Sequence, residues 1–224
     1  MPKRVDHEVR RRQIAEAVWR IAATRGLGAA TLREVAAEAG VSVRLVQYYF
    51  ETKDRLLADA LHYVTRAMAE RMRQRLAGLG RPPGARDVLR VALVEVLPTD
   101  EESLLLARVQ GAYYSAALAD PVLARAASAG STRAAGANAA GPGEGEGGGG
   151  APQELMEKAL VQQIRRAQEA GEIDGGLDPV QEARGLGALV AGLSSMVLVG
   201  ARTAEEAVDV VSYRLEQLFT TGAA

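Results

Sequence analysis

The chain has 224 residues, 48% of them hydrophobic, with 27 Lys and Arg against 28 Asp and Glu and a formal charge of -1, so a soluble globular protein with a sizeable core is expected. It has no cysteine, which excludes disulfides, thiolate metal ligands and a cysteine nucleophile. The first twenty residues are basic but lack the apolar run of a secretory signal, and the uncharged stretch 185–201 falls short of the ~20 residues that span a bilayer, so a cytoplasmic setting with no membrane partner is expected.

Taken in chain order, the apolar residues Ile14, Val18, Ile21 and Ala22 recur at three- and four-residue steps and predict a helix over 9–25 that stops at Gly26. Thr31 and Glu34 form a T-x-x-E capping box, in which hydroxyl and carboxylate each satisfy a backbone N–H, so a second helix is expected over 32–39. Gly40 can take the left-handed conformation that ends it, and Ser42 can cap a third helix over 43–50. Thr52 caps a fourth, whose Leu56, Leu57, Ala60, Leu61, Val64 and Met68 run towards Leu76 before GLGRPPG breaks the pattern.

Two further helices are predicted over 85–97 and 101–118, stopped by Pro98 and by Asp120-Pro121; both are apolar on most faces, as befits the middle of a domain. Residues 129–152 lack large apolar side chains and are dominated by glycine and alanine, the composition of a flexible insertion. Helices resume over 153–170, 179–199 and 204–219. No stretch alternates as a strand does, so the fold class is all-α.

The stretch TLREVAAEAGVSVRLVQYYFETK, residues 31–53, has the layout of a helix-turn-helix unit, with small residues Ala36 and Gly40 where the helices cross and Val46 as an anchor. On its second helix Val43, Arg44, Gln47 and Tyr48 share one face, Val46 and Phe50 the other. Arginine pairs with guanine, glutamine with adenine, and valine or an aromatic ring packs on a thymine methyl. Thr31, Tyr49 and Lys53 supply donors suited to phosphate, and Ser42 lies beside them at a helix start. Residues 1–55 carry eleven Lys and Arg against seven Asp and Glu, the charge layout of a head for a polyanion. Lys3, Arg4 and Arg10 to Arg12 sit at its start, as a solvated helix end or as an arm towards a minor groove. The alternative for the whole stretch is a three-helix packing unit whose Arg44 and Gln47 are merely solvated.

The run AAEAGVSVRLVQYYFETKDRLL resembles the DNA-binding domain of TetR-type transcriptional repressors, with A-x-x-A-G-V-S leading into a short recognition helix, an aromatic pair and a Thr-Lys start to the next helix. The segment 171–219 is similar to the branch that includes the choline-responsive betaine repressor. The resemblance implies an N-terminal three-helix helix-turn-helix domain over 1–52 and a larger helical domain over 53–224 that binds an effector and dimerises. It implies base contacts from Arg33, Val43, Arg44 and Tyr48 and phosphate contacts from Thr31, Tyr49 and Lys53. Gln47 stands where the family usually has tyrosine and Arg44 where a small residue is common; both departures bear on the target sequence rather than on the fold.

The resemblance also implies a homodimer through the last two helices, and their stripes of Leu186, Leu189, Leu193, Val197, Val208, Val211 and Leu215 are broad enough to serve one; an intrachain core is the alternative. The polar residues Arg108, Gln110, Tyr113 and Tyr114 within an apolar helix are the pocket candidates for a small-molecule effector, with Glu95, Ser194 and Met196 behind them. Catalysis is not expected: the only histidines, His7 and His62, belong to no nucleophile or metal-ligand pattern, and no metal or cofactor is implied. The expected function is a sequence-specific regulator that binds an inverted-repeat DNA operator as a homodimer and is released by a ligand; the alternative is an activator or an effector-independent regulator.

Overall fold

A computed structural model describes residues 2–119 and 152–220, with side chains described over 7–118 and 154–220. Among these residues the fold is all-α: α1 (Pro2–Arg25), α2 (Leu32–Ala39), α3 (Val43–Phe50), α4 (Lys53–Ala77), α5 (Ala85–Glu95), α6 (Glu101–Ala119), α7 (Pro152–Glu169), α8 (Pro179–Leu198) and α9 (Ala204–Thr220), with a 3₁₀ turn at Leu27–Ala29. The glycine-rich segment expected to be a flexible insertion lies outside the described residues except for Pro152, which opens α7. The predicted stop at Asp120-Pro121 lies outside them as well.

Chain contacts define two compact units, one from Met1–Ala67 and the segment starting at Arg108, the other from Met68–Ala107 and the segment starting at Pro152. In the first, α1 packs on α2 and α2 on α3. Ile14, Val18, Ile21, Val35, Val46, Leu56 and Val64 are all fully buried there, so the helical steps seen in the sequence are the steps that meet the core. Trp19, 5% exposed, donates its Nε1–H to the Ala60 carbonyl at 2.9 Å, which gives its one polar atom a partner. α1 begins at Pro2, a turn and more before the predicted start. Apolar periodicity detects only the part of a helix that packs; here Glu8 accepts from Tyr63 Oη at 3.0 Å and from Arg66 Nη1 at 3.1 Å, tying the polar extension to α4.

In the second unit α7 packs on α8, while α5 meets α7, α8 and α9. The shared core holds Leu89, Leu93, Leu97, Leu160, Ile164, Ile173, Leu186, Val190, Val211, Leu215 and Leu218. α8 starts on Asp178, whose Oδ1 accepts from Val180 N at 2.8 Å, with Pro179 in the first helical turn where its missing N–H costs nothing. Among the described residues no helix is long and apolar enough to cross a membrane.

Candidate nucleic-acid interface

The helix-turn-helix is set by three local devices. Thr31 Oγ1 accepts from Glu34 N and Ser42 Oγ from Leu45 N, each at 3.2 Å, which fixes the starts of α2 and α3. Between them Gly40 takes φ 66°, ψ 34°, and Val41 N closes the turn on the Ala36 carbonyl at 2.9 Å. Two expectations are corrected in detail. The capping box is half made: Thr31 N donates to the Ala29 carbonyl at 2.8 Å, while the Glu34 carboxylate pairs with Arg25 at 2.9 Å. A Cβ added to Gly40 would meet nothing within 4 Å, so the glycine serves the left-handed turn and not a close helix crossing.

The two faces of α3 separate sharply. Val46 and Phe50 are 0% and 1% exposed, whereas Val43 is 36% and Tyr48 71% exposed, and Arg44 and Gln47 are exposed beside them. Thr31, Arg33 and Ser42 are exposed on the neighbouring surface; Tyr49 and Lys53 are half-buried.

The partners of the arginines divide them further. Within the first unit Arg10 donates to Gln13, Arg12 pairs with Glu16, Arg20 with Glu38, Arg25 with Glu34, Arg55 with Glu51 and Arg66 with Glu8. Arg11 Nη2 donates to the Tyr49 carbonyl at 3.0 Å, its Nη1 lies 3.8 Å from Asp59, and its guanidinium lies 5.6 Å from the centre of the Phe50 ring. Among the arginines with described side chains over residues 7–67, Arg33 and Arg44 have neither hydrogen bond nor ion pair. Partnered arginines and two unpaired, exposed ones thus share this unit.

Tyr49 and Lys53 have partners of their own. Lys53 Nζ donates to the Gly28 carbonyl at 3.2 Å, which places an ammonium at the N-terminus of α4. The Tyr49 hydroxyl meets His7 Nδ1 at 2.9 Å, the two rings standing edge-on with centroids 5.7 Å apart. Nothing in a spacing of 42 residues announces that contact, so no pattern in the sequence marks His7. Burial, the first cause, and the Glu8 carboxylate beside it push the Tyr63 hydroxyl up to about 12. Burial likewise raises Asp59, against the opposing pull of Arg11 and Arg55.

On α6 Arg108 and Tyr114 are exposed and Gln110 is half-buried, while the Tyr113 hydroxyl donates to the Leu57 carbonyl at 2.5 Å and is raised by burial. α6 is therefore less enclosed than its composition predicts, with Leu118 88% exposed. Met196 is 48% exposed and Ser194 is buried. Leu186, Leu193, Val211 and Leu215 lie inside the core of their own chain; Leu189, Val197 and Val208 are half-buried at its edge. Outside that edge Val199, just after α8, is 78% exposed, and α9 leaves Tyr213 64% and Val210 41% exposed.

Glu95, 4% exposed, accepts from Arg71 Nε, and its other oxygen lies 3.0 Å from Arg75 Nε as an ion pair without a well-aimed hydrogen bond. The same Arg71 guanidinium reaches Asp100 at 2.6 Å and Glu102 at 2.5 Å. Burial works against the charge on Arg71, but its bonds to Glu95, Asp100 and Glu102 outweigh it and raise the guanidinium further. Asp100 resists burial in the same way: bonds from Ser103 and Arg71 hold it at about 2.

Two short helices joined at a left-handed glycine, with an anchored inner face and an exposed polar outer one, define a helix-turn-helix DNA-binding protein. The model of bacterial regulatory proteins of the tetR family matches residues 14–60. The HTH-type transcriptional regulator PksA of Bacillus subtilis (strain 168) is 42% identical over 104 residues, covering 46% of this chain and 49% of that protein. The HTH-type transcriptional regulator BetI of Stenotrophomonas maltophilia (strain R551-3) is 31% identical over 133 residues, 59% of this chain and 67% of that one. The chain thus matches about half the length of the first relative and about two thirds of the second. A solved TetR-family structure from Rhodococcus sp. is 25% identical, with a TM-score of 0.75 over 94% of this chain and 98% of that one. A regulator from Saccharomonospora viridis solved in complex with choline shares the fold, with a TM-score of 0.66 at 24% identity over 92% of this chain and 93% of that one. The chain belongs to the TetR family of bacterial regulatory proteins and is a DNA-binding transcriptional regulator.

Proposed function

We propose that this regulator is a cytoplasmic, non-catalytic repressor that holds an inverted-repeat operator as a homodimer and releases it when a small molecule binds. Residues 1–52 form the reading head and 53–224 the effector and dimer domain. The observation that carries the reading is the unpaired state of Arg33 and Arg44 on an exposed face, where each of the other arginines described over residues 7–67 has an internal partner. An unpaired guanidinium loses nothing internal when it turns to a base edge. Arg33, Val43, Arg44, Gln47 and Tyr48 read bases; Thr31, Ser42, Tyr49 and Lys53 hold phosphates.

The half-buried edge of Leu189, Val197 and Val208 and the exposed Val210 and Tyr213 make the dimer face, with Leu186, Leu193, Val211 and Leu215 backing it from inside. Two-fold pairing of this surface presents two heads, hence the inverted repeat. Arg108, Gln110, Tyr113 and Tyr114 line the effector site. The bond from Tyr113 to the α4 backbone supports a route for release, since a ligand that recruits this hydroxyl loosens its hold on the helix that begins where the head ends.

Selection of bound sequences from a random duplex pool, with Arg44→Ala and Gln47→Ala alongside, tests the reading. An enriched inverted repeat that relaxes at one position per half-site in each variant supports it. Enrichment of no sequence refutes it.

A further inference from the structure

We propose that His7 and Tyr49 form a proton-linked phosphate contact, so that DNA binding by this chain takes up a proton at His7. The inference rests on the reading of Tyr49 as a phosphate-binding residue and adds a regulation of that site.

His7 Nδ1 and the Tyr49 hydroxyl lie 2.9 Å apart, and one hydrogen stands between them. When the imidazole is neutral with its proton on Nε2, Nδ1 is an acceptor, and the tyrosine must spend its only O–H proton on the histidine. The hydroxyl then offers lone pairs to an approaching phosphate, which repel it. When His7 is an imidazolium, Nδ1–H donates to the tyrosine oxygen, and the tyrosine O–H is released to donate outward. A neutral ring with its proton on Nδ1 would free the tyrosine O–H as well, but without the charge, so the imidazolium is the form that combines the freed donor with a positive charge behind it.

The surroundings favour this coupling. The edge-on stacking of the two rings fixes the direction of the bond. Arg11, one turn along α1, grips the Tyr49 carbonyl at 3.0 Å, so the tyrosine cannot swing freely to find another geometry. The charged groups nearby are already committed: on α1, Arg10 to Gln13, Glu8 to Tyr63 and Arg66 of α4, and Arg11 to Asp59 of α4. α3 adds Tyr48, in edge contact with Tyr49 at 5.3 Å. Among the residues with described side chains no carboxylate is bonded to His7, so an incoming phosphate can be the anion that stabilises its charge.

The test is binding of the full chain to a labelled duplex selected from a random pool, measured by anisotropy at constant ionic strength between about pH 6 and about pH 8. Affinity is expected to fall as pH rises, by up to about tenfold per pH unit for one linked proton. His7→Gln, whose amide N–H can donate at every pH, should flatten the profile near the tight end, and Tyr49→Phe should flatten it near the weak end. His62→Gln, which removes the only other histidine, should keep the wild-type slope. A slope that survives His7→Gln overturns the proposal, as does one that survives Tyr49→Phe but vanishes with His7, because His7 would then act without the tyrosine. A flat wild-type profile on an enriched duplex overturns this coupling and leaves the DNA-binding surface standing. Failure to enrich any duplex overturns both.

Discussion

Arg44 on α3 and Arg71 on α4 are the same side chain used in opposite ways. Arg71, its side chain 13% exposed, meets three carboxylates and is fully spoken for. Arg44 is exposed and meets nothing. A saturated guanidinium holds a fold together and has no capacity left for a partner; an unsaturated one contributes little to the fold and is available for recognition.

The sharpest way to break that contrast is at the buried end. Glu95→Ala leaves Arg71 without its most buried partner and should destabilise the chain by about 3 kcal/mol, as removal of one member of a buried pair does. Urea unfolding followed by circular dichroism measures it; a loss within about 0.5 kcal/mol, the usual range for surface substitutions, would mean that the pair is only decorative.

At the exposed end, Arg44→Ala should weaken binding to the selected duplex by about 1–3 kcal/mol while leaving the urea midpoint unchanged. Equal losses in binding and stability would erase the distinction between the two arginines. Gly40→Ala tests the frame that presents Arg44. With φ at 66° and open space around the missing Cβ, its cost is conformational alone, about 1 kcal/mol of stability in the same unfolding experiment.

The smallest effect is acid sensitivity at Asp100. Its folded-state pKa of about 2 lies below the usual 3.8, so its stabilisation is present above the usual value and is lost as pH falls towards 2. Asp100 is 43% exposed, so screening keeps the contribution below about 1 kcal/mol. Stability of Asp100→Asn measured between about pH 5 and about pH 2 should fall less steeply than that of the wild type.

The difference between the two arginines also marks how far the sequence can be read. The second and third helices were legible to the residue, because Thr31, Gly40 and Ser42 act through bonds to neighbours three to five positions away. The exposed face of α3 was legible for the same reason, since helical spacing alone separates Arg44 and Gln47 from Val46 and Phe50. The bonds of Arg71 to Glu95 and of His7 to Tyr49 join residues 24 and 42 positions apart, and no local pattern encodes them. The stripes on α8 and α9 fall between these cases: periodicity marked Leu186 and Val211 as buried, but only packing reveals that their own chain buries them.

The bond from Trp19 to the Ala60 carbonyl has a practical consequence. Trp19 is the chain's sole indole, and it is sealed at the junction of α1 and α4, so intrinsic fluorescence comes from a single known place. Its emission reads the contact between those two helices without any label. A candidate effector that moves α4 against α1 will announce itself as a spectral shift or a change in quenching, before its effect on DNA is known.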